Sequence, residues 1–316
     1  MKISKLVSCA ILLCGVLLAP LSVSAADIYP SKSVKVIVPF PPGGGADTLV
    51  RIIAPMVGEL WKQSLVIENR PGASGFIGAE VVAQSPADGY TLLMGSTAAV
   101  TEKNIAQFAP VALVSASPYV VTINPALNIN SIKALITYAK ANPGKVRYGS
   151  SGPGSASHLA GELFAAMAGV TLLHVPYKGT GQALTDLLAG HIDLMFAPAQ
   201  TVMPQIESGK LTALAQTGSK RSEALPSIPT VSEAGLAGYS AVGWFGLFAP
   251  ANTPKPVLQK INQTVMFVLG QDKIRKAMLE RGSDPASGSA EEFAAFLRLD
   301  QAKWAKLIKE NKVAVQ

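Results

Sequence analysis

The chain has 316 residues, 49% of them hydrophobic and only 15% charged, with 28 glycines, 22 prolines and two cysteines. So low a charged share excludes a coiled coil or a charged disordered tail, and glycine plus proline stay under the roughly 25–30% of low-complexity chains. The length suits about two domains, two cysteines exclude a disulfide scaffold, and the net charge of +7 is first corrected for the N-terminus.

Residues 1–25 carry Lys2 and Lys5, then an apolar stretch over 6–21, then the small residues of Ser-Val-Ser-Ala-Ala at 22–26. A basic start, an apolar middle and a small-residue end make a secretory signal peptide, cut after Ala25 or Ala26. Two alternatives stay open. Pro20 and the shortness of the stretch disfavour an uncleaved anchor. Leu13 disfavours a lipoprotein on Cys14, because that position wants a small residue. Cleavage after Ala25 leaves 291 residues, removes Cys9 and Cys14, and lowers the net charge to +5. A mature chain without cysteine has no thiol nucleophile, redox pair or thiolate metal site, and it tolerates an oxidising compartment. No later apolar run reaches the roughly 18 residues of a spanning helix, so a soluble, exported protein is expected.

In chain order, 34–39 reads as a strand and 47–61 as a helix, with Leu49, Ile52, Ile53, Met56, Val57 and Leu60 on one face. A strand at 65–68, a helix at 77–84 and a strand at 90–94 follow. Residues 111–114 and 119–123 are extended, and 131–141 is helical. Strands at 146–149, 171–175 and 192–196 then alternate with helices at 158–168 and 181–189. Strands at 211–216 and 243–248 flank a proline-rich loop, and the tail is helical. Ser289 and Glu292 fit a capping box. Phe293, Phe296, Leu297, Trp304, Leu307 and Ile308 then recur at helical spacing as packing residues. Alternation of this kind builds parallel sheets covered by helices. The residues therefore predict two α/β lobes and a helical C-terminus.

Two turns stand out. Phe40-Pro41-Pro42-Gly43-Gly44-Gly45-Ala46-Asp47 joins a strand to a helix, and so does Ser150-Ser151-Gly152-Pro153-Gly154-Ser155-Ala156-Ser157-His158. Glycine lets backbone approach a ligand closely. The first turn of a helix offers free N–H groups and roughly half a positive charge. Each turn is thus a potential anion site that needs no basic side chain, although either alone is also an ordinary α/β turn. Ser155 or Ser157 is expected to cap the second helix and Asp47 the first.

Other chemistries fail on spacing. Thr48 and Ser157 stand where a dinucleotide fingerprint needs glycine, and no GxxxxGK[ST] or Gly-x-Ser-x-Gly occurs. His158, His174 and His191 do not have helical metal-site spacing and read as structural, with His158 kept because it borders a glycine turn. Basic residues are scattered, which argues against nucleic-acid binding. No metal or cofactor is expected.

Five stretches resemble one family: YPSKSVKVIVPFPPGGGADTLVR (29–51), VIENRPGASGFIGAEVVAQSPADGYTLLMG (66–95), YGSSGPGSASHLAGELFAAMAG (148–169), HVPYKGTGQALTDLLAGHIDLMF (174–196), and LPSIPTVSEAGLAGY with WFGLFAP (225–239, 244–250). The chain resembles the periplasmic receptors of tripartite tricarboxylate transporters, often called the Bug family, over essentially its whole mature length. The resemblance implies a two-lobed periplasmic-binding-protein fold, type II-like. Each lobe would be a mostly parallel sheet flanked by helices, with hinge strands between them: lobe 1 from 26–118 plus 243–316, lobe 2 from 119–242. It also implies a periplasmic, monomeric receptor that closes on a small carboxylate and passes it to membrane permease subunits.

Carried over residue by residue, the resemblance assigns the ligand to Phe40, Pro42, Gly43, Gly44, Gly45 and Asp47 of the first turn. Ser150, Ser151, Gly152, Gly154, Ser155, Ser157 and His158 form the second. Gly75, Phe76, Gly95, Ser96 and Thr97 would complete the first-lobe wall, and Ala197 the second. Three departures from the family bear on specificity. Phe76 replaces a frequent Asn, 98–107 is shorter than usual, and Ala197 stands where many relatives have Asp. The last two observations make the enclosure uncertain on one side and favour a plain or aromatic carboxylate over an amino acid. A sensor that transports nothing remains an alternative, and a periplasmic enzyme a remote one.

Overall fold

The computed structural model describes residues 29–311 and 313–314. The signal-peptide assignment at 1–25 lies outside the described residues. In the first lobe β1 (Val34–Val38), β2 (Leu65–Asn69) and β3 (Thr91–Ser96) pair in parallel, in the order β2-β1-β3. Helix α1 (Gly45–Trp61) follows β1, and α2 (Phe76–Ala83) follows β2. Strand β4 (Phe108–Ile123) merges the two short extended stretches expected at 111–114 and 119–123 into one 16-residue strand.

The second lobe repeats the plan. Helix α3 (Ile132–Ala141) leads to β5 (Arg147–Ser150), α4 (Ala156–Ala168), β6 (Leu173–Pro176), α5 (Thr180–Ala189), β7 (Leu194–Pro198), α6 (Ala199–Glu207) and β8 (Thr212–Gln216). The chain returns as β9 (Val242–Pro250) and ends in α7 (Lys255–Leu269), α8 (Asp272–Leu279) and α9 (Ala290–Asn311). Helix α6 has no counterpart in the sequence reading.

Strand order shows how the lobes are joined. The path is β2-β1-β3-β9-β4-β7-β5-β6, with β8 on β4. Strand β9 runs antiparallel between β3 and β4 in the first lobe, and β4 runs antiparallel between β7 and β8 in the second. Each lobe is therefore parallel except for one strand that arrives from the other lobe. Strand β4 belongs to both: Phe108–Pro118 pairs with β9, and Tyr119–Ile123 with β7. The lobes are thus linked by β4 and by the return segment between β8 and β9.

Helices cover both faces of each sheet, as the alternation predicts. Leu49, Ile53, Val257, Ile261 and Val265 pack on Val36 and Val38, while Ile37, Leu93 and Phe248 meet Val82 and Phe293 on the other side. In the second lobe Tyr148, Phe164 and Phe196 form one core, and Ala183, Leu187 and Met195 the other. Full burial of each such large side chain contributes roughly 1.5–3 kcal/mol. Gly161 permits one close approach, because a Cβ there would sit 2.4 Å from the Tyr148 ring.

Helix α9 starts with the expected capping box. Ser289 N donates to Glu292 Oε2 (2.7 Å), and Glu292 N donates to Ser289 Oγ (3.2 Å). The helix then bridges the lobes. Phe293 and Leu297 join a first-lobe core, whereas Trp304 and Leu307 join a second-lobe core. Asp300 lies between, accepting from Trp244 Nε1 of β9 (2.8 Å) and from Trp304 Nε1 (2.9 Å).

Candidate ligand-binding site

A cavity of about 570 Å³ lies between the lobes. From the first lobe it takes Phe40, Pro42, Gly43, Gly44 and Gly45, then Ser96 and Thr97, and Phe245 of β9. The second lobe supplies Tyr119, Ser151, Ser155, the segment 178–182 and Pro198 with Gln200 and Thr201. Nine residues of the expected set therefore line one cavity: five from the first turn, then Ser96, Thr97, Ser151 and Ser155.

Helix N-termini dominate this lining. Residues in the first turns of α1, α4, α5 and α6 all border the cavity: Gly45, Ala156, Thr180 and Gln200. The N-cap residues of α1, α5 and α6 are Gly44, Gly179 and Pro198, and none provides a side-chain cap. Those first turns keep donors for a ligand or water, and their aligned peptide dipoles favour an anion. Helix α4 differs, because Ser155 caps it by accepting from His158 N (3.3 Å). Lys178 is the one charged residue among the lining residues described, and it is exposed. Thr97, a residue 8% exposed, adds a buried polar atom to the wall: its Oγ1 has no hydrogen-bond partner.

The other expected residues stand behind this surface. Asp47 does not cap α1 and does not reach the cavity; it is buried in the first turn of that helix. Its carboxylate accepts from Gly43 N (3.0 Å), Arg51 Nε (2.9 Å) and Asn69 Nδ2 (3.0 Å). Burial works to raise its pKa, but the donors from Arg51, Gly43 and Asn69 outweigh burial and hold it below the usual carboxylate value. Asp47 thus staples the glycine turn to β2.

Gly95 packs under Phe248, with only 2.6 Å left for a Cβ, and Gly75 packs under Phe40 and Ala99. Phe76 starts α2 and lines no part of the cavity, so its replacement of Asn has no direct bearing on the wall. Ala197 is fully buried within β7 and leaves the lining to Pro198.

The second turn is tied to itself. Ser150 Oγ accepts from Gly152 N (3.1 Å) and contacts His174 Nε2 (2.7 Å). Ser157 Oγ accepts from Ser151 N (3.1 Å), and His158 Nδ1 accepts from Gly154 N (3.1 Å). An Nδ1 that accepts leaves the proton on Nε2, so His158 is neutral. Its ring stacks on His174 with centroids 3.9 Å apart. Burial, with a contribution from the His174 charge, pulls His158 down to about 3, and burial pulls His174 to about 4. Ser150, Gly152, Gly154, Ser157 and His158 are therefore the scaffold behind Ser151 and Ser155.

The sequence reading passed over Tyr119, Phe245, Gln200 and the 178–182 segment. The last carried a signal: β6, then Tyr177-Lys178-Gly179, then α5 opening on Thr180-Gly181 is a third strand–glycine–helix turn.

Two α/β lobes joined by exchanged strands, with helix N-termini converging on the cavity between them, define a solute-binding protein of the two-lobed periplasmic type. A sequence profile described as tripartite tricarboxylate transporter family receptor matches residues 49–313. The chain belongs to that family, one of substrate-binding receptors rather than enzymes. It is 34% identical over 311 residues to Protein BugT of Bordetella pertussis, covering 94% of this chain and 95% of BugT. Among solved structures, R. palustris Rpa4515 with adipate is 35% identical with a TM-score of 0.86, covering 90% of this chain and 99% of its own. MatC of Rhodopseudomonas palustris with bound malate is 28% identical with a TM-score of 0.81, covering 89% and 100%. Among the described residues no helix is long and apolar enough to cross a membrane.

Proposed function

We propose that this protein is a periplasmic receptor that closes its two lobes on a small carboxylate and delivers it to the membrane permease of a tripartite tricarboxylate-type transporter. The observation that carries the reading is the convergence of four helix N-termini, three without side-chain caps, on one interlobe cavity. Backbone donors and dipoles there favour an anion. The adipate and malate of the two R. palustris relatives support the same ligand class.

The lining also argues against an amino acid. No Asp or Glu is among the described lining residues, so a ligand ammonium would be buried without a counter-charge. Phe40, Tyr119, Leu184 and Phe245 suit the carbon body of an aliphatic or aromatic acid. A thermal-shift and calorimetry screen tests this with adipate, malate, benzoate, glutarate and glutamate. A ligand at a hundredfold excess over Kd adds about 2.7 kcal/mol of stability. At least one plain carboxylate is expected to bind, and glutarate is expected to outcompete glutamate by about tenfold or more. Shifts with sugars or cations but with no acid would remove the anion reading.

A further inference from the structure

Residues 72–75 form a costly backbone for a loop outside the cavity lining. Gly72, Ala73, Ser74 and Gly75 all have positive φ, at 139°, 46°, 55° and 99°. Consecutive left-handed Ala and Ser are disfavoured for L residues and persist only where the surroundings impose them. The surroundings do so here. Gly75 N donates to Gly72 O (2.9 Å), Ile77 fills the space beside Gly72, and Phe40 and Ala99 press on Gly75.

The tip of this loop meets the opposite lobe. A Cβ added at Gly152 would lie 2.8 Å from Ser74 Oγ, 3.3 Å from Tyr177 O and 3.9 Å from Ser74 Cβ. Gly152 itself has φ +122°, so it is a glycine both by conformation and by clearance. Neither Ser74 nor Gly152 lines the cavity, yet each is linked to a residue that does: Ser74 through Gly75, which packs under Phe40, and Gly152 through its chain neighbour Ser151. The contact therefore joins the two loops whose approach encloses the ligand.

We infer that loop 72–75 is a closure latch, in which Ser74 seats against Gly152 of the opposite lobe and sets how far the cleft closes. This rests on the two-lobed closing receptor described above, but not on which acid it binds. Strain held in 72–75 keeps Ser74 projecting towards the opposite lobe, and the absent side chain at Gly152 is its socket. A larger residue at either position holds the lobes apart and weakens binding without touching the ligand.

Two measurements test the latch. The first uses S74C/G152C under oxidised glutathione, with and without adipate, malate or benzoate. The 3.9 Å Cβ separation falls in the disulfide range. A disulfide-linked 74–152 peptide pair is expected by mass spectrometry. If the change at Gly152 prevents folding, S74C/S151C bridged by a short bis-thiol linker replaces it. A folded variant that never links in any condition overturns the latch.

The second measurement uses Ser74→Asn, which tolerates the left-handed backbone while adding bulk. Binding of whichever of the three acids binds the wild type is expected to weaken about tenfold, with the melting temperature unchanged. Wild-type affinity in that variant shows that the contact does not govern closure and overturns the proposal. If the wild type binds none of the three acids, the carboxylate reading fails, while the cross-link still decides whether the loops meet.

Discussion

The turns before α1 and α4 share an order of strand, glycines and helix, yet they satisfy their backbones in opposite ways. In the first, a buried carboxylate from inside the helix, Asp47, reaches back to Gly43 N, and the helix end is left without a side-chain cap. In the second, side chains of Ser150, Ser157 and His158 take the amides of Gly152, Ser151 and Gly154, and Ser155 caps the helix. The first turn is an open donor surface; the second is a stiff wall whose donors are mostly spent internally. Equal glycine content therefore does not mean equally free backbone donors. What separates the two is where the neighbouring polar side chains point.

The largest effect that tests this contrast is a charge placed in each turn. Gly44 has φ −73°, and a Cβ there meets nothing nearer than Pro41 O at 3.5 Å. Gly44→Glu should fold normally and put a carboxylate at the α1 terminus, where it competes with the ligand. Carboxylate affinity is expected to fall about a hundredfold, with the melting temperature unchanged or raised. Gly154→Glu should do the reverse. Its φ is +72° and its N–H is bound to His158, so the melt falls first. Calorimetry and thermal melts on both variants separate the two roles, and equal loss of affinity at equal stability would erase the distinction.

Next in size is the pH dependence of the second turn. His158 and His174 titrate near 3 and 4 in the fold because burial opposes their charge, and near 6.5 when unfolded. Between those values the unfolded chain binds more protons than the folded one, so stability falls as pH falls. The contribution is fully present above about pH 6.5. It declines by about 1.4 kcal/mol per pH unit for each histidine below that. His158→Phe should lose about 1–3 kcal/mol at pH 7, because Gly154 N–H loses its acceptor, and should show a shallower acid slope. Urea denaturation at pH 7 and pH 5 reads both. Identical slopes in variant and wild type would mean that His158 is already charged in the fold.

The alternation of strands and helices was legible because short β-branched runs and helical apolar spacing are local properties. That is why the strand expected at 34–39 appears as 34–38, the helix expected at 47–61 as 45–61, and the capping box at Ser289 and Glu292 where the sequence places it. Helix α6 was not legible: Pro198 precedes it, Pro204 sits inside it, and no capping side chain announces it. Half of the cavity was hidden for a different reason. Tyr119 and Phe245 lie on the two strands that connect the lobes, and which alternate residue of such a strand faces the cleft follows from non-local pairing, such as Ser96 with Phe245. Asp47 and His158 were chosen because they border glycine turns. Their proximity was real, but partners distant in sequence, Asn69 for Asp47 and His174 for His158, turn them inward.

The smallest effect concerns Thr97, at the end of β3. Its hydroxyl is buried at the cavity wall and has no protein partner, unlike the serines of the second turn, each of which is bonded. A buried hydroxyl without a partner disfavours the fold, and a ligand or bound water that reached it would supply the missing bond. Thr97→Val keeps the shape and removes the hydroxyl. Stability without ligand should be unchanged or slightly raised, while carboxylate affinity falls about three- to tenfold, the worth of roughly one hydrogen bond. Calorimetry paired with a melt in the absence of acid distinguishes the roles. A lower melt with unchanged affinity would make Thr97 part of the scaffold, like Ser150, and would remove its hydroxyl from the first-lobe donors.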